Sequence, residues 1–201
     1  MTEHYFSTEP AAENRIREVS FDLGGRHYSL SASGGVFSAG RLDPGTSVLL
    51  RKAQLPNSDT EGTLLDLGCG YGPIAKVLAT VAPKAEVWAV DVNARARELT
   101  AGNTKGLNVT VVEPGRVPPE IKFDQIWSNP PIRVGKTELH GLLQKWLPRL
   151  EDDGVAWLVV GRHLGADSLH AWLNEQGKER GWVARRHASA GGFRVLKVAR
   201  T

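Results

Sequence analysis

Short apolar stretches alternate with longer amphipathic ones from about residue 62, and this alternation predicts the elements of the fold. Runs of five or six mostly apolar residues predict buried strands, whereas apolar positions at 139, 142, 143, 146, 147 and 150 follow the period of a helix. The predicted strands are 63–67, 86–90, 108–112, 123–128 and 155–160, and the predicted helices are 73–82, 93–105, 137–150 and 167–180. Such alternation is typical of βαβ units, so we predict an α/β protein with a mostly parallel sheet.

The two ends of the chain depart from this pattern. Strand-like stretches at 182–187 and 193–198 flank Gly191-Gly192 and predict an antiparallel hairpin. The hairpin completes a doubly wound, Rossmann-like sheet of seven strands. The first 61 residues show only short strand-like pieces and a helix over 44–52 capped by Asp43. We therefore predict an N-terminal extension on the substrate side over residues 1–61 and a cofactor-binding domain over residues 62–201.

Composition narrows the class of protein. The chain has 201 residues, 41% of them hydrophobic and 23% charged, and no apolar run approaches the roughly 18 residues of a membrane span. The first residues lack the basic and apolar regions of a secretory signal, and the single cysteine, Cys69, cannot form an internal disulfide. We expect a cytoplasmic protein, a monomer, with no metal and no membrane partner.

Positive charge is concentrated at the C-terminal end. Residues 1–61, 62–161 and 162–201 carry net charges of −2, 0 and +5. A basic bias of this kind fits contact with a phosphate backbone, and Arg185, Arg186 and Arg194 are candidates for that contact. A solvated basic strand edge explains the same count equally well.

A glycine-rich turn follows the first predicted strand of the α/β domain. It runs Asp66-Leu67-Gly68-Cys69-Gly70-Tyr71-Gly72 and opens the next helix. Glycine allows close approach of a ligand to the backbone because it has no Cβ and adopts positive φ. The turn predicts a nucleotide-like ligand. Its candidate cofactor-binding residues are Asp66, Gly68, Cys69, Gly70 and Gly72.

Three neighbouring residues distinguish between cofactors. The spacing is G-x-G-x-G followed by Pro73, whereas dinucleotide sites use G-x-G-x-x-G and need free N–H groups for the pyrophosphate. The Asp66 carboxylate would repel the phosphates of a dinucleotide, but it can accept a hydrogen bond from an ammonium group. Asp91 ends the next strand, 23 residues after Gly68, close to the offset at which an acid binds ribose hydroxyls. The loop therefore favours S-adenosylmethionine over NAD.

A second motif, Asn129-Pro130-Pro131, ends the strand over 123–128. Ligands of open α/β sheets bind at the carboxyl ends of strands, so Asn129 is expected near the cofactor. The prolines fix the backbone, and the Asn129 amide oxygen and Pro130 carbonyl can both accept hydrogen bonds from a substrate NH₂ group. We assign Asn129, Pro130 and Pro131 as candidate catalytic residues, although Asn-Pro alone is also an ordinary turn.

The glycine loop, Asp91 and Asn-Pro-Pro together resemble class I S-adenosylmethionine-dependent N-methyltransferases. The stretches His4-Tyr5-Phe6-Ser7, Gly35-Val36-Phe37-Ser38 and Leu42-Asp43-Pro44-Gly45-Thr46 are similar to the small-domain methyltransferases that include the ribosomal RNA guanine-N2 enzymes of the small subunit. The resemblance implies rRNA processing, with ribosomal RNA as partner. It also implies that Phe37, Asp43 and Thr46 line the sulfonium end of the cofactor, with Asn129 beside it, and that Glu113 replaces the acid many relatives carry after the third strand. Where many relatives place Phe or Tyr after Asn-Pro-Pro to stack on the target base, this chain has Ile132, and we predict substrate contacts from Ile132 and from the basic residues Arg133 and Lys136 that follow it.

Three other functions stay open. Methylation of a protein glutamine uses similar Asn-Pro-Pro chemistry, but the relatives that do so carry Tyr after the prolines, where this chain has Ile132. A binding module without turnover would have no chemical reason to keep Asn129 and Asp91. A nicotinamide oxidoreductase is disfavoured by Pro73.

Overall fold

A seven-stranded sheet forms the centre of the computed structural model, which describes residues 16–33, 41–130 and 135–201. The strand order is β5-β4-β3-β6-β7-β9-β8. Strands β3 to β7 are parallel to one another, and β9 pairs antiparallel with both β7 and β8. The bounds are β3 Thr63–Leu67, β4 Glu86–Val90, β5 Val109–Val112, β6 Phe123–Ser128, β7 Leu150–Gly161, β8 Trp182–Ala190 and β9 Phe193–Arg200. The predicted doubly wound, mostly parallel sheet with an antiparallel C-terminal hairpin is confirmed.

Helices cover both faces of this sheet because its strands are apolar on both sides. Alternate residues of each strand point to opposite faces, so Trp127 and Trp157 belong to one core and Ile126 and Leu158 to the other. The helix bounds are α1 Pro44–Lys52, α2 Pro73–Val81, α3 Ala94–Asn103, α4 Lys136–Trp146 and α5 Ala166–Arg180. Within the described ranges no helix is long and apolar enough to cross a membrane.

A separate two-stranded hairpin, β1 (Ile16–Leu23) and β2 (Arg26–Ser33), precedes the sheet. Two hydrogen bonds join it to α3, because the Asn103 side chain accepts from the Ser31 N–H and donates to the Ser31 carbonyl. Its buried residues, among them Val19 and Leu30, share a core with α1 and α2. This hairpin thus packs beside the glycine loop, because Cys69 and Tyr71 of the loop belong to the same core.

The largest differences from the predicted bounds are at the end of one helix and the start of the following strand, while the other bounds differ by up to three residues. The helix predicted over 137–150 ends at Trp146, and a 3₁₀ turn over Leu147–Arg149 follows it. Pro148 explains this, since proline has no N–H to continue the helical hydrogen bonds. Leu150 consequently starts β7, five residues before the predicted start at 155, and its buried side chain reaches the core from a strand.

Candidate functional site

Three polar side chains meet at the carboxyl edge of the sheet. Strand β3 lies between β4 and β6, so the segments that follow these three strands are neighbours. Asp66 lies near the end of β3, Asp91 directly follows β4, and Asn129 directly follows β6. The two acids and the amide predicted from separate motifs therefore lie at the same edge of the sheet, at the ends of neighbouring strands.

Backbone hydrogen bonds tie the glycine loop to the end of β4. The N–H groups of Gly68 and Cys69 both donate to the Val90 carbonyl, at 2.8 and 3.1 Å. Gly68 and Gly70 have φ of 77° and 57°, and a Cβ built on either would meet no atom of residues 16–33, 41–130 or 135–201 within 4 Å. The loop thus presents an open backbone surface, which a ligand can approach closely.

Gly72 and Cys69 face the protein rather than this open surface. A Cβ on Gly72 would lie 2.9 Å from Thr100 Cγ2, so this glycine allows the loop to pack against α3. The Cys69 side chain is buried, with Sγ 3.5 Å from Thr100 Oγ1, and burial raises the pKa of its thiol well above the ordinary value. Any contact of Cys69 with a ligand therefore comes from its backbone.

Asp66 is completely buried beneath the loop. Its Oδ2 atom accepts from the Ala75 N–H at 2.8 Å, whereas Oδ1 has no partner in the described structure. Burial, with a smaller contribution from nearby Asp91, raises the pKa of this carboxyl to about 8. An unpartnered buried oxygen is costly, and a cationic donor such as an ammonium group would satisfy it.

Asp91 holds the loop in place. Its Oδ2 accepts from the Gly70 N–H and its Oδ1 from the Asn93 N–H, both at 2.9 Å. Burial raises the pKa of Asp91, although these two bonds and the nearby Arg97 favour the charged form. Each carboxylate oxygen keeps a further lone pair for a ribose hydroxyl. Two acids beside the glycine loop favour a cationic ligand and disfavour a diphosphate.

The structure brings Asn129 together with Asp43 and Thr46 from the start of α1. Asp43 caps that helix as predicted, accepting from the Thr46 N–H at 2.9 Å. The Asn129 side-chain nitrogen Nδ2 donates to Asp43 Oδ1 at 2.6 Å and to Thr46 Oγ1 at 3.0 Å. Both hydrogens of the amide are thereby used, whereas its oxygen Oδ1 accepts no hydrogen bond from the described residues.

Sequence reasoning missed Phe193, whose ring edge and the Asn129 amide both lie close to Gly45. A Cβ on Gly45 would lie 3.0 Å from Asp43 Oδ1, 3.1 Å from Phe193 Cε1 and 3.3 Å from Asn129 Nδ2. A side chain at position 45 would require these groups to move by a few tenths of an ångström. Phe193 is 64 positions from Asn129 in the sequence, so only the antiparallel pairing of β9 with β7 could have indicated it.

The remaining predicted residues lie in different surroundings. Glu113 follows β5 and is exposed, Lys136 is the exposed first residue of α4, and Pro130 is buried. Arg185 and Arg186 are exposed on β8, and Arg186 pairs with Asp167 at 3.5 Å. Arg194 contacts the same carboxylate and is mostly buried, which corrects its assignment as a phosphate contact. Four predicted residues fall outside the described ranges: Phe37, Pro131, Ile132 and Arg133.

Comparison with known proteins places the chain among methyltransferases. The sequence pattern of the family "Methyltransferase small domain" matches residues 27–197. YbxB, an uncharacterized protein of Bacillus subtilis (strain 168), is 34% identical over 181 residues, which are 87% of this chain and 89% of YbxB. Ribosomal RNA small subunit methyltransferase C of Shewanella denitrificans is 36% identical over 137 residues, 65% of this chain and 39% of that protein.

A solved structure shows the same fold. The 16S rRNA N2 G1207 methyltransferase RsmC of T. thermophilus, in complex with AdoMet and guanosine, superposes with a TM-score of 0.76 at 24% identity. The match covers 92% of this chain and 51% of that one. The chain thus spans about half the length of the T. thermophilus enzyme and about two fifths of the Shewanella protein.

Proposed function

The chain belongs to the methyltransferase small domain family, and on that premise we propose that it methylates the exocyclic N2 amine of a guanine in small-subunit ribosomal RNA. It is a methyltransferase by family, and S-adenosylmethionine, the cofactor predicted from the glycine loop, is the methyl donor. The Shewanella relative is a ribosomal RNA small subunit methyltransferase and the T. thermophilus relative a 16S rRNA N2 G1207 methyltransferase, which supports the RNA and the guanine as substrate.

The orientation of Asn129 is the observation that carries this proposal. If the amide were flipped, its oxygen would face the Asp43 carboxylate at the 2.6 Å contact, and a charge-assisted hydrogen bond of about 1.5–3 kcal/mol would be replaced by repulsion. Asp43 therefore holds the amide oxygen toward the site. An acceptor in that position suits a substrate that presents N–H groups.

This arrangement addresses the main difficulty of methylating a conjugated amine. The lone pair of such an amine is delocalised into the ring, so the nitrogen is a poor nucleophile. Two acceptors, Asn129 Oδ1 and the Pro130 carbonyl, can hold the amine hydrogens out of the ring plane and free the lone pair. When bound, the cofactor supplies an electrophilic methyl group on a positively charged sulfur. An amide oxygen takes up no proton at neutral pH, so the proton lost by the methylated amine goes to water.

The residues around the loop fit this cofactor. Gly68 and Gly70 leave the loop surface open, and Oδ1 of buried Asp66 lacks a donor that an ammonium group would supply. Asp91 offers lone pairs to a ribose. The acidic character of the site complements a cofactor with two positive charges, which is the opposite of what a dinucleotide requires.

For the RNA backbone we propose phosphate contacts from Arg133 and Lys136, on the chain segment that leaves the Asn-Pro-Pro motif. Replacing each with Gln should reduce the slope of log affinity against log salt by roughly 0.7–0.9 per lost contact. Lys145, exposed near the other end of α4, is the matched control, and its replacement should leave the slope unchanged. A wild-type slope in the Arg133/Lys136 double variant would remove both residues from the RNA-binding surface.

Mass spectrometry of ribosomal RNA nucleosides, from cells with and without the gene, tests the proposed substrate. We expect one N2-methylguanosine to disappear on deletion, to return with the wild-type gene and to stay absent with Asn129→Ala. An unchanged modification map would contradict the proposal, and methylation of a protein glutamine would then be the function to test.

A further inference from the structure

A base held only through its amine hydrogens can still rotate about that contact. Keeping its amine aligned with the methyl group therefore requires a flat surface against its ring. Aromatic side chains provide such surfaces, since every base has a π-face on which they stack. A base-stacking group must lie beside Asn129, at the carboxyl edge of the sheet, and must be partly exposed.

Phe193 meets these conditions among the described residues. It is the first residue of β9 and pairs with Gly161, the last residue of β7, so it lies at the same edge as Asn129. Its ring edge and the Asn129 amide converge over the Cα of Gly45. The side chain is half-buried, whereas Tyr71, an aromatic residue of the glycine loop, is only 2% exposed.

The hairpin turn before Phe193 fixes the position of its ring. Gly191 and Gly192 form this turn with φ of 54° and 81°. The Arg162 N–H donates to the Gly192 carbonyl at 2.8 Å, and a Cβ on Gly191 would lie 3.7 Å from Val48 Cγ2 of α1. The turn thus packs against both the end of β7 and α1, the helix whose first turn binds Asn129. The positions of the Phe193 ring and the Asn129 amide therefore both depend on α1.

We propose that Phe193 is the specificity-determining residue on which the purine ring stacks while Asn129 holds its exocyclic amine. The inference rests on the proposed function and adds a second contact to it. The Asn129 oxygen selects an amine, and the Phe193 ring requires that amine to be attached to a planar aromatic system. An aliphatic amide such as glutamine offers the amine without the ring.

Phe193→Leu and Phe193→Tyr separate stacking from packing. Leucine keeps the apolar contact with the core but has no π-face, whereas tyrosine keeps the ring. We expect Phe193→Leu to raise the KM for RNA about tenfold or more, with cofactor affinity and melting temperature close to wild type. Phe193→Tyr should retain most activity. Phe21→Leu is the matched control, because Phe21 is also an aromatic residue but stacks on Tyr28 in the N-terminal hairpin. The KM of this variant for RNA should equal that of wild type.

A binding measurement avoids any dependence on turnover. 2-Aminopurine riboside carries the same exocyclic amine, and stacking quenches its fluorescence. Wild type and Phe193→Tyr should quench it in the presence of S-adenosylhomocysteine, and Phe193→Leu should not. Normal RNA methylation by Phe193→Leu, or absent quenching by an active wild type, would overturn the stacking role and leave the proposed function standing. A wild-type enzyme that modifies no guanine would instead refute the proposed function.

Discussion

Replacing Asn129 with Asp should make the enzyme sensitive to pH in a way that wild type is not. The substitution places a carboxylate oxygen where Nδ2 now lies, 2.6 Å from Asp43 Oδ1. Two carboxylates this close cannot both ionise easily, so they share a proton. In the shared state one oxygen of the introduced carboxyl donates to Asp43 and the other still accepts from the substrate amine. The variant should be active in that state only.

The size of the shift follows from the geometry. Two unit charges centred about 4 Å apart repel by about 4 kcal/mol at an effective dielectric constant of about 20. This energy corresponds to about three pKa units at about 1.36 kcal/mol per unit, so the pKa of the introduced carboxyl rises from about 3.9 to about 7. Below that pH the variant should retain partial activity. Above it, kcat should fall about tenfold per pH unit.

The assay is kcat with saturating cofactor and RNA between about pH 6 and pH 9. Asp43→Asn combined with Asn129→Asp is the matched control, because an amide at position 43 can donate to the introduced carboxylate without a shared proton. We expect this double variant to lose the fall in kcat at high pH. A pH profile of Asn129→Asp that runs parallel to wild type would refute the claim that Asp43 orients the amide.

Three further predictions concern the same site. Asn129→Ala should lower kcat about 10²- to 10³-fold with an unchanged cofactor Kd, because its contact forms fully only in the transition state; wild-type kcat would contradict this role. Asp91→Ala should weaken cofactor binding in calorimetry by about 1.5–3 kcal/mol and also lower Tm, since Gly70 N–H loses its acceptor; unchanged affinity would place the ribose elsewhere. The raised pKa of Asp66, about 8, means that the folded protein keeps a proton which the unfolded chain releases near pH 4. The free energy of unfolding should therefore fall as the pH rises from about 4 to about 8. Cofactor binding at pH 7 should release close to one proton, which calorimetry in two buffers would measure. Asp66→Asn should abolish both effects, and proton release that persists in this variant would assign it to another group.

The sheet could be predicted because its sequence signals are local. Apolar runs such as Leu64-Leu65 and Val87-Trp88 reflect burial on both faces of a parallel sheet, and Gly191-Gly192 favours a tight hairpin turn by its conformation alone. The early start of β7 could not be predicted, because Glu151, Asp152 and Asp153 are polar and their pairing depends on neighbouring strands.

The site was predictable only in part, for a related reason. Asp66, Asp91 and Asn129 follow strands, and the rule for open α/β sheets brings the ends of strands together. The hydrogen bonds from Asn129 to Asp43 and Thr46 join residues 86 and 83 positions apart, and nothing local indicates them. The same holds for Phe193, whose place beside Asn129 depends on how the C-terminal hairpin packs against α1.

Methyl transfer from deuterated S-adenosylmethionine to ribosomal RNA tests the central claim most directly. The purified protein is incubated with small-subunit RNA and the CD₃-labelled donor. The RNA is then digested to nucleosides, and their masses are measured by mass spectrometry. We predict label on N2-methylguanosine with wild type and its near absence with Asn129→Ala. Label on another nucleoside, or no label on RNA from a protein that binds the donor, would contradict the account.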